Sequence, residues 1–275
     1  MLGKLIHYDG KIQLKFLSGV CVVVALISLF SGIMSEVSDA FPKVIMLKML
    51  RYLVFGCSVL AVAALVIGMV IYVVAYFRRN LFRDEGYLMH TLPVTGTQLF
   101  FSKLITGSIC IYLSILAAIV CMCIATFRWD YISMFIDILK QSGIQDVWTV
   151  VMTLLTLLLT IPFSLCQFYV SLVIGYTWKM NSAAPMNRDL LSVAVYIVLY
   201  LIQQVMGMIS IAVFLVISYG NPFTSQFLQR METMGSEIST YLHGVLGMSM
   251  GLSLTLGVVL AVVSVWRMNH HLNLE

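Results

Sequence analysis

The run LRYLVFGCSVLAVAALVIGMVIYVVAYF, residues 50–77, decides the fold. After Arg51 it holds no charged residue, and it exceeds the ~20 apolar residues that cross a hydrocarbon core. A helix on the surface of a soluble domain would show a polar face every turn; this run shows none. Five further segments read the same way: residues 16–33, 99–127, 147–178, 190–219 and 242–266. Membrane strands would be short and alternating, whereas these runs are continuous, so the expectation is an all-α integral membrane protein with six transmembrane helices. Residues 1–275 form a single transmembrane domain in this reading.

Composition agrees. The 275 residues are 61% hydrophobic and only 10% charged, against about 25% charged in soluble domains, and mean hydropathy is +1.00. The longer spans must tilt, bend or project beyond the bilayer, and Pro162 removes a backbone donor in the fourth, where a kink is expected.

Basic residues set the orientation. With the N-terminus in the cytoplasm, ten of the 16 Lys and Arg residues lie inside, among them Lys4, Lys11, Lys15, Arg78, Arg79, Arg83 and Lys103. Lys43, Lys48, Arg51, Arg128, Lys140 and Arg230 fall outside or at the outer boundary. The chain is therefore expected in the plasma membrane with both termini cytoplasmic. No cleavable signal peptide is expected, because the first apolar run lacks a small-residue cleavage site and five more spans follow. The net charge of +4 is spent on membrane flanks, and no nucleic-acid partner is expected. The six cysteines all lie inside apolar spans and read as small buried hydrophobes.

Catalytic equipment is scarce. The sequence has no G-x-x-x-x-G-K-[ST] phosphate loop, H-E-x-x-H motif or G-x-S-x-G elbow. His270-His271 lacks an acidic or cysteine partner and reads as a membrane flank. No catalytic residue, metal or cofactor of the chain's own is expected. Mid-span polarity is neutral: Gln167 in the fourth span, and Gln203, Gln204 and Ser210 in the fifth. Adjacent glutamines point about 100° apart on a helix, so at least one faces another helix or a cavity. An interhelical hydrogen bond and a substrate route both fit Gln167, Gln203 and Gln204.

Small residues recur at helical spacing. Gly244, Gly247 and Gly251 mark the last span, Cys57, Ala61, Ala64 and Gly68 the second, and Gly107, Cys110, Ser114, Ala117 and Cys121 the third. Such faces allow close backbone approach where no water drives association, within one subunit or between two.

The connections add surface helices. Residues 1–15 mix Leu2, Leu5, Ile6 and Ile12 with Lys4 and Lys11, the pattern of an interfacial helix, with Gly10 a point of interruption. Residues 127–146 read as a helix at the outer surface, and 221–240 as a connection dipping back towards the bilayer.

The most elaborate polar segment is RDEGYLMHTLPVTGTQLFFSKL, residues 83–104. Asp84 and Glu85 suit a helix start, Pro93 ends the segment, and Thr95 or Thr97 can cap the third span. Residues 79–93 thus read as a short helix along the membrane. Its apolar side chains Tyr87, Leu88, Met89 and Leu92 exceed what a solvated turn needs.

This run resembles the loop between the second and third spans of ABC-2-type ABC transporter permeases of Firmicutes, with its acid at Glu85, its Thr91-Leu92-Pro93 and its Lys103. The six-span layout is also similar. The resemblance implies that 79–93 is a coupling helix seated on a separate cytoplasmic ABC ATPase. Arg83, Asp84, Glu85, Gly86, Tyr87, Leu88, Thr91, Leu92 and Pro93 would contact it. It further implies two ATPase subunits that use ATP and Mg, and a second permease copy, identical or related. The expected function is the permease subunit of an ATP-driven exporter moving a hydrophobic or amphipathic cargo (peptide, drug, lipid or glycan). The alternative is a non-transporting scaffold or immunity protein that recruits a cytoplasmic partner.

Overall fold

The computed structural model describes residues 2–41, 43–82, 95–126, 147–178, 187–219 and 238–271. Regular structure among them is helical: α1 (Leu2–Ala40), α2 (Ile45–Phe82), α3 (Gly96–Thr126), α4 (Val147–Thr177), α5 (Arg188–Tyr219) and α6 (Ile238–His271). Six helices are long and apolar enough to cross a membrane, so the chain is a multi-pass membrane protein. α2, with 38 residues, extends about 57 Å at ~1.5 Å per residue. A hydrocarbon core is only about 30 Å thick, so this helix carries its charged ends into the headgroup zones.

One expectation is corrected. Residues 1–15 do not form a separate interfacial helix; α1 runs unbroken from Leu2 through Gly10 into the first span. The reason lies on one face of its first turns. Asp9 and Gln13, four residues apart, are buried against the bundle, and a single helix keeps both on that face. The expected coupling helix is divided: residues 79–82 prolong α2, and 83–93 lie outside the described residues. So do the surface helix expected at 127–146 and, save for its last residues in α6, the connection at 221–240.

The chain divides into two compact units, Met1–Phe135 and Ile136–Glu275. In the first, α1, α2 and α3 each pack against the other two. Their shared core holds Val24, Val62, Leu65, Ala118 and Cys121, with Ala25, Ala61 and Met122 against it. The small-residue face read on the third span lies inside this bundle: Gly107, Cys110, Ser114 and Cys121 are buried. On α2, Cys57 is exposed and an added Cβ at Gly68 would meet nothing within 4 Å, so these two positions are not packed inside the bundle.

In the second unit α4 packs against both α5 and α6, which meet each other only sparsely. α4 continues through Pro162. Phe168 stacks on Tyr196 with ring centroids 4.3 Å apart. Close backbone approach falls at unexpected glycines. A Cβ on Gly175 of α4 would lie 2.8 Å from Ser192 Cα of α5, and one on Gly257 of α6 3.3 Å from the Phe163 ring. Gly247 and Gly251 instead face open space, so among the described residues of this unit nothing packs closely on the G-x-x-x-G pair. The side-chain surroundings of Gly244 lie outside the described residues.

Candidate functional site

A buried polar cluster lies in the first unit, where α1 begins, α2 ends and α3 begins. Asp9 (0% exposed) and Lys103 (1%) are fully buried. Lys103 Nζ donates to both Asp9 carboxylate oxygens, at 3.4 and 3.3 Å. The Tyr76 hydroxyl donates to Asp9 Oδ1 at 2.8 Å, and the Ser102 hydroxyl to Oδ2 at 3.3 Å. The ammonium also sits 4.9 Å from the centroid of the Tyr76 ring, close enough for a cation–π attraction. One carboxylate thus receives donors from α2 and α3 and ties them to α1.

Local sequence makes the arrangement possible. Ser102 and Lys103 occupy the second turn of α3, and Tyr76 sits beneath the aromatic layer of α2. There Phe77 meets Phe100 edge-on with ring centroids 6.4 Å apart. Excluding water from an ion pair is costly, and such a pair persists only where geometry and further hydrogen bonds compensate. One turn along α1 from Asp9, Gln13 is 1% exposed and neither of its amide atoms has a hydrogen-bond partner among the described residues.

The sequence reading placed Lys103 among the cytoplasmic basic residues and did not join it to Asp9. A signal was present: Asp9 is the sole acid among the first 35 residues, and Lys103 lies inside the run 99–127 read as a span. The residues read as docking contacts, Arg83, Asp84, Glu85, Gly86, Tyr87, Leu88, Thr91, Leu92 and Pro93, lie outside the described residues. Their segment joins the end of α2 to the start of α3 in the chain.

In the second unit the structure brings together two of the three mid-span glutamines. Gln167 Nε2 of α4 donates to Gln203 Oε1 of α5 at 2.7 Å. Because α5 and α6 meet sparsely, a groove of about 190 Å³ opens between them, lined by Gln203, Gln204, Gly207, Ser210, Ser249 and Ser253 among others. Gln204 is exposed there, and its side chain has no partner among the described residues. Ser210, Ser249 and Ser253 give their protons to carbonyls of their own helices, at 2.7–2.8 Å. The groove is therefore uncharged, its amides and hydroxyls interleaved with Ile211, Met248 and Leu252.

The Gln167–Gln203 bond is expected to behave as an ordinary interhelical contact. Gln167→Leu and Gln203→Leu should each cost on the order of 1 kcal/mol, and their double-mutant cycle should show a coupling of roughly 0.6 kcal/mol. Equilibrium unfolding in mixed micelles reads this out; a coupling of zero would mean that the amides do not pair in the membrane.

The same unit has an ionic end where α4 finishes and α5 starts. The Tyr176 hydroxyl donates to the Asp189 carboxylate, and the Arg267 guanidinium lies 5.5 Å from the centroid of the Trp178 ring. Comparison with known proteins found no matching family model, no matching curated protein and no matching solved structure.

Proposed function

We propose that this chain is the membrane-spanning permease subunit of an ATP-driven exporter for a hydrophobic or amphipathic cargo. The observation that carries the reading is the Asp9–Lys103–Tyr76–Ser102 cluster. It fastens α1, α2 and α3 together at the point where residues 83–94 leave α2 and return to α3. A push on that segment is delivered to three helices at once, which is what rigid-body coupling to a closing ATPase requires. The resemblance of residues 83–104 to the permease coupling loop points to the same partner. The uncharged groove beside Gln203 and Gln204 suits cargo that is greasy or hydrogen-bonding, not ionic.

On this reading two ABC ATPase subunits bind ATP and Mg in the cytoplasm, and a second permease copy completes the pathway. Glu85 makes a charged contact with the ATPase, and Leu88 and Leu92 are the apolar anchors. A buried apolar anchor is commonly worth 2 kcal/mol or more at an interface, so a charge placed there should abolish docking.

Purification of the tagged protein from its own membrane in mild detergent tests this. The wild type is expected to bring down a P-loop ATPase identified by mass spectrometry, and Leu88→Asp to lose it by at least tenfold. Equal recovery with both, or no ATPase with either, would sink the permease reading and favour the scaffold.

A further inference from the structure

At the opposite end of the first unit, where α1 and α3 finish and α2 starts, a cleft of about 220 Å³ opens. Ser31, Glu36 and Asp39 line it from α1, and Arg51, Tyr52 and Phe55 from α2. We infer that this cleft binds a primary ammonium group carried on an apolar body. The inference does not rest on the permease reading.

Charge comes first. Arg51 Nη1 pairs with Asp39 Oδ1 at 2.5 Å, which leaves Glu36 with no partner among the described residues and the cleft with one carboxylate in excess. Ser31 supplies a second, independent pointer. It is 3% exposed and lines the cleft, yet its hydroxyl makes no hydrogen bond among the described residues. Helical serines commonly return their proton to a carbonyl one turn back, as Ser35 does to Gly32 at 2.8 Å. Ser31 does not, and it lines the same cleft as Glu36.

The kind of cation follows from the rest of the lining. A divalent ion wants six or more oxygen ligands, and the Arg51 guanidinium within the same cleft opposes two positive charges. A primary ammonium needs fewer acceptors: Glu36 and Ser31 offer two, and the Tyr52 and Phe55 rings can present π-faces to the same charge. Beyond the cleft Val37, Phe41 and Leu53 are exposed, which gives the body behind the ammonium greasy side chains to lie on. An amine-headed lipid and a free cationic amphiphile share this chemistry.

The test uses the full-length protein in nanodiscs and a photoreactive decylamine carrying a diazirine on its chain. Saturable labelling is expected within residues 31–55, displaced by decylamine and not by decanol or decanoate. Glu36→Gln should weaken labelling ~10-fold and Ser31→Ala roughly 3-fold, the ranges for losing a charged and a neutral hydrogen bond. Arg51→Gln should strengthen it several-fold, because it releases Asp39 and removes the competing cation. Glu36 is exposed, so its variant should unfold at the wild-type temperature, which is checked alongside. Discs with phosphatidylethanolamine are compared with discs of phosphatidylglycerol alone. Suppression by phosphatidylethanolamine supports an ammonium site filled by lipid headgroups, and undiminished labelling supports one open to free amines. Equal labelling of Glu36→Gln and wild type, or equal displacement by decanol, would overturn the proposal.

Discussion

Lys103→Met is expected to destabilise the protein by about 3–5 kcal/mol, the range for breaking one partner of a buried ion pair. Asp9 has no exposed surface, and in the variant its carboxylate would keep only the Tyr76 and Ser102 hydroxyls as donors. Asp9→Asn should also be damaging, because it takes the Asp9 counter-charge from a buried ammonium. The double variant Asp9→Asn/Lys103→Met should recover most of the loss, to within about 1 kcal/mol of wild type, since replacing both charges removes the desolvation cost as well as the attraction. Asn at position 9 retains an oxygen for the Tyr76 hydroxyl, so that donor is not orphaned. Unfolding of the four proteins in mixed micelles gives the cycle. Strictly additive losses, or a single-variant loss below about 1 kcal/mol, would mean that the pair is solvated in the membrane and does not clamp the three helices.

The second large effect is expected at Gly175. A Cβ there would lie 2.8 Å from both the Cα and the N of Ser192, and backbone atoms cannot rotate aside as a flexible side chain can. Gly175→Ala should therefore push α4 from α5 and cost roughly 1–3 kcal/mol, with Gly175→Val costing more. The strain should spread to contacts of the same helix pair, the Tyr176–Asp189 hydrogen bond and the Gln167–Gln203 bond. Gly251→Ala is the control. Its added Cβ meets nothing within 4 Å, and alanine is about 0.8–1 kcal/mol better than glycine in a helix, so stability should hold or rise. Melting temperatures of purified protein decide it. A Gly175→Ala variant as stable as Gly251→Ala would show that the α4–α5 crossing is looser than described.

The sequence alone determined the class and the count. Apolar runs such as residues 50–77 are too long and too free of charge for water, and membrane helices satisfy their own backbones, so six spans were legible without knowing what touches what. The buried small-residue face of α3 was legible for the same reason, because spacing along one helix fixes which residues share a side.

Pairing between helices was not. Asp9 and Lys103 are 94 positions apart, and each looked like an ordinary membrane-flank charge until three helix ends were brought together. Glycine spacing likewise named Gly247 and Gly251, whereas the close approaches fall at Gly175 and Gly257. Which face of a lipid-embedded helix meets a neighbour is not announced by polarity, because lipid is as apolar as the protein core. The mid-span glutamines lie between these cases. Their polarity was evident, but only the packing of α4 against α5 joined Gln167 to Gln203 and left Gln204 in the groove. Periodicity and hydropathy are properties of one helix and can be read from its residues; burial of a charge, or closeness of two backbones, is a property of a pair, and tertiary structure alone decides it.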